Sequence, residues 1–224
     1  MIIDITPARE IDWDSPGARR SSVPFTLDGT WGRVRVPLYV ACAPEPGPTI
    51  VAIGGTHGDE YEGPVGLKNL IRELDPTKLV RGRLIVIPVL NVPAFRAGRR
   101  ESPLDGGNMN RAFPGDARGT ITSRIARWMT DEVLSRADVV IDLHSGGEGF
   151  EIFRTMSFHQ VPDPEMYRKF RDTALLFGTP FVMIYTSEMG TGLLTEEAEK
   201  MGKVTIGSEL GFGASTDLQG VRWA

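Results

Sequence analysis

Short runs dense in Val and Ile recur along this chain, and stretches whose apolar residues return at helical spacing lie between them. That alternation limits the fold more than any other feature. Runs over 34–42, 49–53, 83–90, 139–143, 181–185 and 204–210 read as strands, because β-branched residues suit a pleated, half-buried surface. Stretches over 62–74, 121–134, 165–177 and 195–201 read as helices. Several middle runs lack polar alternation, as strands buried on both faces do. The expected fold class is therefore α/β, a mixed, largely parallel sheet flanked by helices on both faces. Ligands of such sheets gather beyond the carboxyl ends of the strands, where this sequence places polar, Gly-rich segments.

With 224 residues and 41% hydrophobic side chains, the chain can build one sizeable core, so a single domain over 1–224 is expected. Its formal charge of -4 comes from interspersed acids and bases. No basic run could track a phosphate backbone, which argues against nucleic acid as a partner. The start MIIDITPAREIDWD carries acids where a secretory signal is basic, and no apolar run nears the ~20 residues that span a bilayer. No membrane partner is expected. Cys42, the only cysteine, has no partner for an intramolecular disulfide, which fits a reducing cytoplasm. The last residues, 220–224, carry no helix cap or polar tail and read as a cut end.

The histidines are only three, His57, His144 and His159. After the run at 49–53 comes Gly54-Gly55-Thr56-His57-Gly58-Asp59-Glu60, where a turn can converge an imidazole and a carboxylate on one ion. The run at 139–143 delivers His144 at its carboxyl end, before Ser145-Gly146-Gly147. Two His and one Glu form the set that leaves zinc a fourth position for water. The alternative is that His57 and Glu60 cap a helix and His144 is an ordinary strand-end histidine. Asp142, two residues before His144, can share its face of the strand and orient it, or can be a buried, hydrogen-bonded Asp. His159, near Pro162 and Pro164, is expected on an exposed loop.

An attacking water needs a base, and Glu209 is the candidate, an acid inside an apolar run. A buried salt bridge would also explain it. The segment 91–118 is too long and irregular for an ordinary connection, and it concentrates Arg96, Arg99, Arg100 and Arg111 beside Asn108 and Asn110. Arg111 with Asn110 is assigned to a substrate carboxylate and Arg100 to the oxyanion of amide hydrolysis, against the alternative of a solvated basic loop.

Read together, Gly55-Thr56-His57-Gly58-Asp59-Glu60, Asn108-Met109-Asn110-Arg111-Ala112-Phe113-Pro114-Gly115, Asp142-Leu143-His144-Ser145-Gly146 and Glu209-Leu210-Gly211 resemble, in that order, the succinylglutamate desuccinylase/aspartoacylase family, relatives of the zinc carboxypeptidases. The resemblance implies a carboxypeptidase-like domain with one zinc per chain on His57, Glu60 and His144, and Glu209 as general base. It further implies that Arg100 polarises the scissile carbonyl, with Arg99 its neighbouring alternative, and that Asn110 and Arg111 hold the substrate carboxylate. Asn108 stands where the family usually has Asp, removing one negative charge from the loop. The phrases at 58–64 and 208–213 are most similar to a branch that deacetylates an N-acetylated diamino acid. Family members generally continue into a β-rich C-terminal domain that helps close the site, so 1–224 is expected to be the catalytic domain without it. The implied activity is zinc-dependent hydrolysis of the amide bond of a small N-acyl amino acid. A zinc carboxypeptidase acting on peptides and a non-catalytic ligand-binding module are the alternatives.

Overall fold

A computed structural model describes residues 4–29, 32–186, 191–212 and 214–224, so Gly213 of the last resemblance phrase lies outside the described residues. The strands are β1 (Asp4–Ile5), β2 (Gly17–Thr26), β3 (Arg33–Cys42), β4 (Thr49–Gly54), β5 (Arg83–Ile87), β6 (Val139–His144), β7 (Thr155–His159), β8 (Phe181–Tyr185) and β9 (Val204–Glu209). The α-helices are α1 (Glu62–Glu73), α2 (Val92–Ala97), α3 (Ile121–Trp128), α4 (Pro164–Leu175), α5 (Leu194–Lys200) and α6 (Leu218–Trp223). All nine strands join one sheet in the order β1-β2-β3-β5-β4-β6-β9-β7-β8. The centre, β5-β4-β6-β9, is parallel, while β2, β3 and β7 make the antiparallel joins.

Helices cover both faces. On one, Ile121, Ile125 and Ala126 of α3 and Leu194 and Ala198 of α5 pack with Val51, Ile53, Ile85, Ile87 and Val140. On the other, Leu67 of α1 and Trp223 of α6 meet Ala52, Val86 and Leu143, and Phe170 and Ala174 of α4 meet Met156, Phe158 and Ile206. Side chains of this size contribute roughly 1.5–3 kcal/mol each when fully buried. The mixed, largely parallel sheet expected from the sequence is present.

Several boundaries differ from expectation, each for a local reason. The run at 83–90 stops pairing at Ile87, because Pro88 has no N–H for the ladder. The chain then crosses β4, where Leu90 and Asn91 donate to the carbonyls of Gly54 and Gly55. Within the segment expected to be irregular, α2 forms because Asn91 accepts from Ala94 N at 3.3 Å, Pro93 presets the first turn and Gly98 ends it at φ 58°. The helix of 121–134 widens over Met129–Val133 and tightens over Leu134–Arg136. The final residues, read as lacking a cap, form α6, whose Asp217 accepts from Gly220 N at 2.9 Å.

Candidate metal centre

Parallel register brings the site together. In β6 and β9, His144 stands opposite Glu209, and in β4 and β6, Gly54 stands opposite Leu143. The turn after β4 therefore opens beside the end of β6. That turn carries His57 and Glu60 and lies against α2. A Cβ on Gly58 would sit 2.0 Å from the Ala94 carbonyl carbon, so only glycine permits the approach. Gly58 N donates to Arg99 O at 3.0 Å, fixing the turn to the end of α2.

Ligand atoms of His57, Glu60 and His144 lie within 4.8 Å of one another. Glu60 joins both rings, with its Oε1 2.8 Å from His57 Nδ1 and its Oε2 2.8 Å from His144 Nδ1. Ser145 N also donates to Oε2, at 3.1 Å. The far nitrogen of each ring is anchored separately, His144 Nε2 by Asp142 Oδ2 at 2.8 Å and His57 Nε2 by Asn108 Oδ1 at 3.2 Å. Metal-binding histidines are oriented in this way, one nitrogen facing the ion and the other held by an outer acceptor. The donor set and its bracing thus fit a metal ion.

Asp142 settles into the orienting role left open by the sequence. It is fully buried, on the same strand face as His144, and its Oδ1 accepts from Thr56 Oγ1 at 2.8 Å. Asn108 also accepts from Asn110 N at 2.9 Å, so the amide braces the loop where the family has a carboxylate. Thr56 gave no local signal, since its partner lies 86 positions away.

Charge in the site is tightly coupled. Burial opposes ionisation of Glu60, but His144 and His57 outweigh it and hold the carboxyl well below the usual carboxylate range. Burial likewise opposes the His144 imidazolium, yet Asp142 and Glu60 overcome it and raise the ring well above its ordinary value. At Glu209 burial dominates. It pushes the carboxyl up to about 7, with His144 opposing and Glu60 adding to the rise. Glu209 Oε2 is buried and takes no hydrogen bond among the described residues, so the salt bridge considered for it does not form there.

A cavity of about 260 Å³ opens on these groups. Arg100 and Arg111 line it, while Arg96 and Arg99 are exposed and do not. Arg100 donates to Glu60 Oε1 at 3.2 Å. Arg111 donates to its neighbour's carbonyl, Asn110 O, at 2.6 Å, and Asn110 Oδ1 accepts from Leu194 N at 3.0 Å, tying the loop to α5. His159 corrects its expected place. It ends β7 rather than lying on an exposed loop, pairs with Glu199 at 2.7 Å and lines the same cavity. That hydrogen bond holds its imidazole above the usual range against the opposing effect of burial.

A largely parallel α/β sheet with a two-histidine, one-carboxylate cluster at its carboxyl edge defines a metallohydrolase-like framework. The sequence pattern of the succinylglutamate desuccinylase/aspartoacylase catalytic domain matches residues 46–221, and the chain belongs to that family. It is 38% identical over 209 residues to N-alpha-acetyl-L-2,4-diaminobutyric acid deacetylase of Halomonas elongata, a match covering 92% of this chain and 60% of that protein. A succinylglutamate desuccinylase/aspartoacylase structure from Rhodobacter sphaeroides superposes with TM-score 0.89 at 34% identity, covering 95% of this chain and 64% of that one. The product-bound ectoine utilization protein EutE (DoeB) of Ruegeria pomeroyi gives TM-score 0.88 at 37% identity, covering 96% and 66%. The chain thus spans less than two thirds of the length of these relatives. Among the described residues, no helix is long and apolar enough to cross a membrane.

Proposed function

We propose that residues 1–224 are the catalytic domain of a zinc-dependent amidohydrolase that cuts the amide bond of a small N-acyl amino acid, with N-acetyl-2,4-diaminobutyrate as its foremost substrate. The observation that carries this reading is the unpaired, buried Glu209 oxygen beside the His57, Glu60 and His144 cluster. The identity to the Halomonas elongata deacetylase supports the choice of substrate.

His57, Glu60 and His144 would hold the zinc, a donor set that leaves one coordination position open. The bound ion supplies Lewis acidity toward a water and an acyl oxygen. Glu209 takes the proton of the attacking water and returns it to the leaving amine, a role suited to a carboxyl that burial raises above the usual carboxylate range. Arg100 donates to the acyl oxygen as negative charge develops there. Asn110 and Arg111, which line the same cavity, receive the substrate carboxylate through the planar guanidinium fork. A reducing cytoplasmic setting belongs to the same reading, supported by the lone, buried thiol of Cys42.

Replacing Glu209 by Gln tests the assignment. Turnover of N-acetyl-2,4-diaminobutyrate should fall by roughly 10²- to 10⁴-fold while zinc stays bound. Wild-type turnover in Glu209→Gln with zinc present would refute the role of Glu209.

A further inference from the structure

The cavity carries an acid that the hydrolytic step does not use. Glu199, on α5, has a side chain only 16% exposed and lines the cavity. Its Oε1 accepts from His159 Nδ1 at 2.7 Å and from Thr205 Oγ1 at 2.7 Å. Among the described residues its Oε2 takes no hydrogen bond, and no Lys or Arg pairs with Glu199, whose ion-pair partner is the His159 imidazole on Oε1. Ser157 and Tyr185 line the same cavity. A carboxylate largely withdrawn from water, with one oxygen fixed by two donors and the other left over, is prepared to accept from a ligand rather than to cap a surface.

Charge along the cavity is sorted. Arg100 and Arg111 are the only Lys or Arg side chains among the described residues that line the cavity; Arg100 is engaged by Glu60, and neither pairs with Glu199. Thr205 and Glu209 share a face of β9 four positions apart, which is ~13 Å along a strand. A molecule with an acyl group at the metal, a carboxylate on Arg111 and a positive charge on a short aliphatic arm matches all three regions.

We infer that Glu199, braced by His159 and Thr205, is the recognition site for a side-chain ammonium and selects N-acyl amino acids whose side chain is cationic. This inference rests on the hydrolase reading of the same cavity. Hydrogen bonds to a charged group are stronger than neutral ones, and the same carboxylate repels an acidic side chain, so one residue both attracts and excludes.

The test compares zinc-loaded wild type with Glu199→Gln on matched pairs. N-acetyl-2,4-diaminobutyrate is set against N-acetyl-2-aminobutyrate, and N-acetylornithine against N-acetylnorvaline, measuring KM and kcat. Calorimetric Kd values for the four free amino acids are measured in parallel. Wild type should favour at least one diamine over its neutral partner by about tenfold or more in both KM and Kd. Glu199→Gln should erase that preference, with the loss falling on KM rather than kcat. A wild type without the preference, or a folded Glu199→Gln that keeps it, overturns the inference. Should the variant melt early, the wild-type comparison alone decides. A calorimetric preference without turnover on any substrate would sink the hydrolase reading and leave the ammonium site standing.

Discussion

At the scale of single residues, the site is governed by what burial does to charge. Burial of Glu209 raises its carboxyl from the ordinary 4.5 to about 7, so the folded chain holds this proton more tightly than the unfolded one. A raised pKa contributes stability that is fully present below about 4.5 and is lost as pH rises through about 7. At about 1.4 kcal/mol for each pH unit, the loss is on the order of 3 kcal/mol. Metal-free Glu209→Gln should therefore melt above metal-free wild type at pH 8, and the gap should close near pH 4. Equal melting temperatures at pH 8 would contradict the burial of this charge. The grouping of His57, Glu60 and His144 was legible in the sequence because a turn sets His57 and Glu60 three positions apart and a strand end exposes His144. Asp142 was half legible, through strand alternation. The pairing of His159 with Glu199 was not, because it joins the end of β7 to α5, 40 positions away, a contact that local pattern does not reveal.

At the scale of elements, the turn of His57 and Glu60 depends on its packing against α2. The contact at Gly58 is with backbone, which a rotamer change cannot relieve. Gly58→Ala should cost about 1–3 kcal/mol or more through overpacking, and should weaken metal retention by moving His57 and Glu60. Thermal melts and metal analysis of that variant check both effects. Leu67→Ala, in α1 on the opposite face, should cost about 2–5 kcal/mol while leaving zinc bound. The central strands were readable because burial on both faces makes them solidly apolar. Strand β2 was not read, since GARRSSVPFT is polar and contains Pro24, which suits only an outer position in a sheet. The TMSFH of β7 is short and polar on the cavity side, and hydrogen bonding to β9 decides its state. The helix α2 escaped notice because it is six residues long, too short for periodicity to show.

At the scale of the whole molecule, the cluster of His57, Glu60 and His144 joins the turn after β4 to the end of β6, next to β9 in the middle of the sheet. An ion held there ties the centre of the fold together and stabilises it by mass action. Chelation should lower the melting temperature, the free-energy change being about 2.7 kcal/mol when free zinc stands at 100 times its dissociation constant. The most direct measurement is the zinc content of the purified chain, with and without His57→Ala, taken alongside acetate release from N-acetyl-2,4-diaminobutyrate. About one zinc per chain, lost in the folded variant together with acetate release, is the predicted result. A folded, zinc-supplemented wild type that retains no zinc would contradict the metallohydrolase reading at its root.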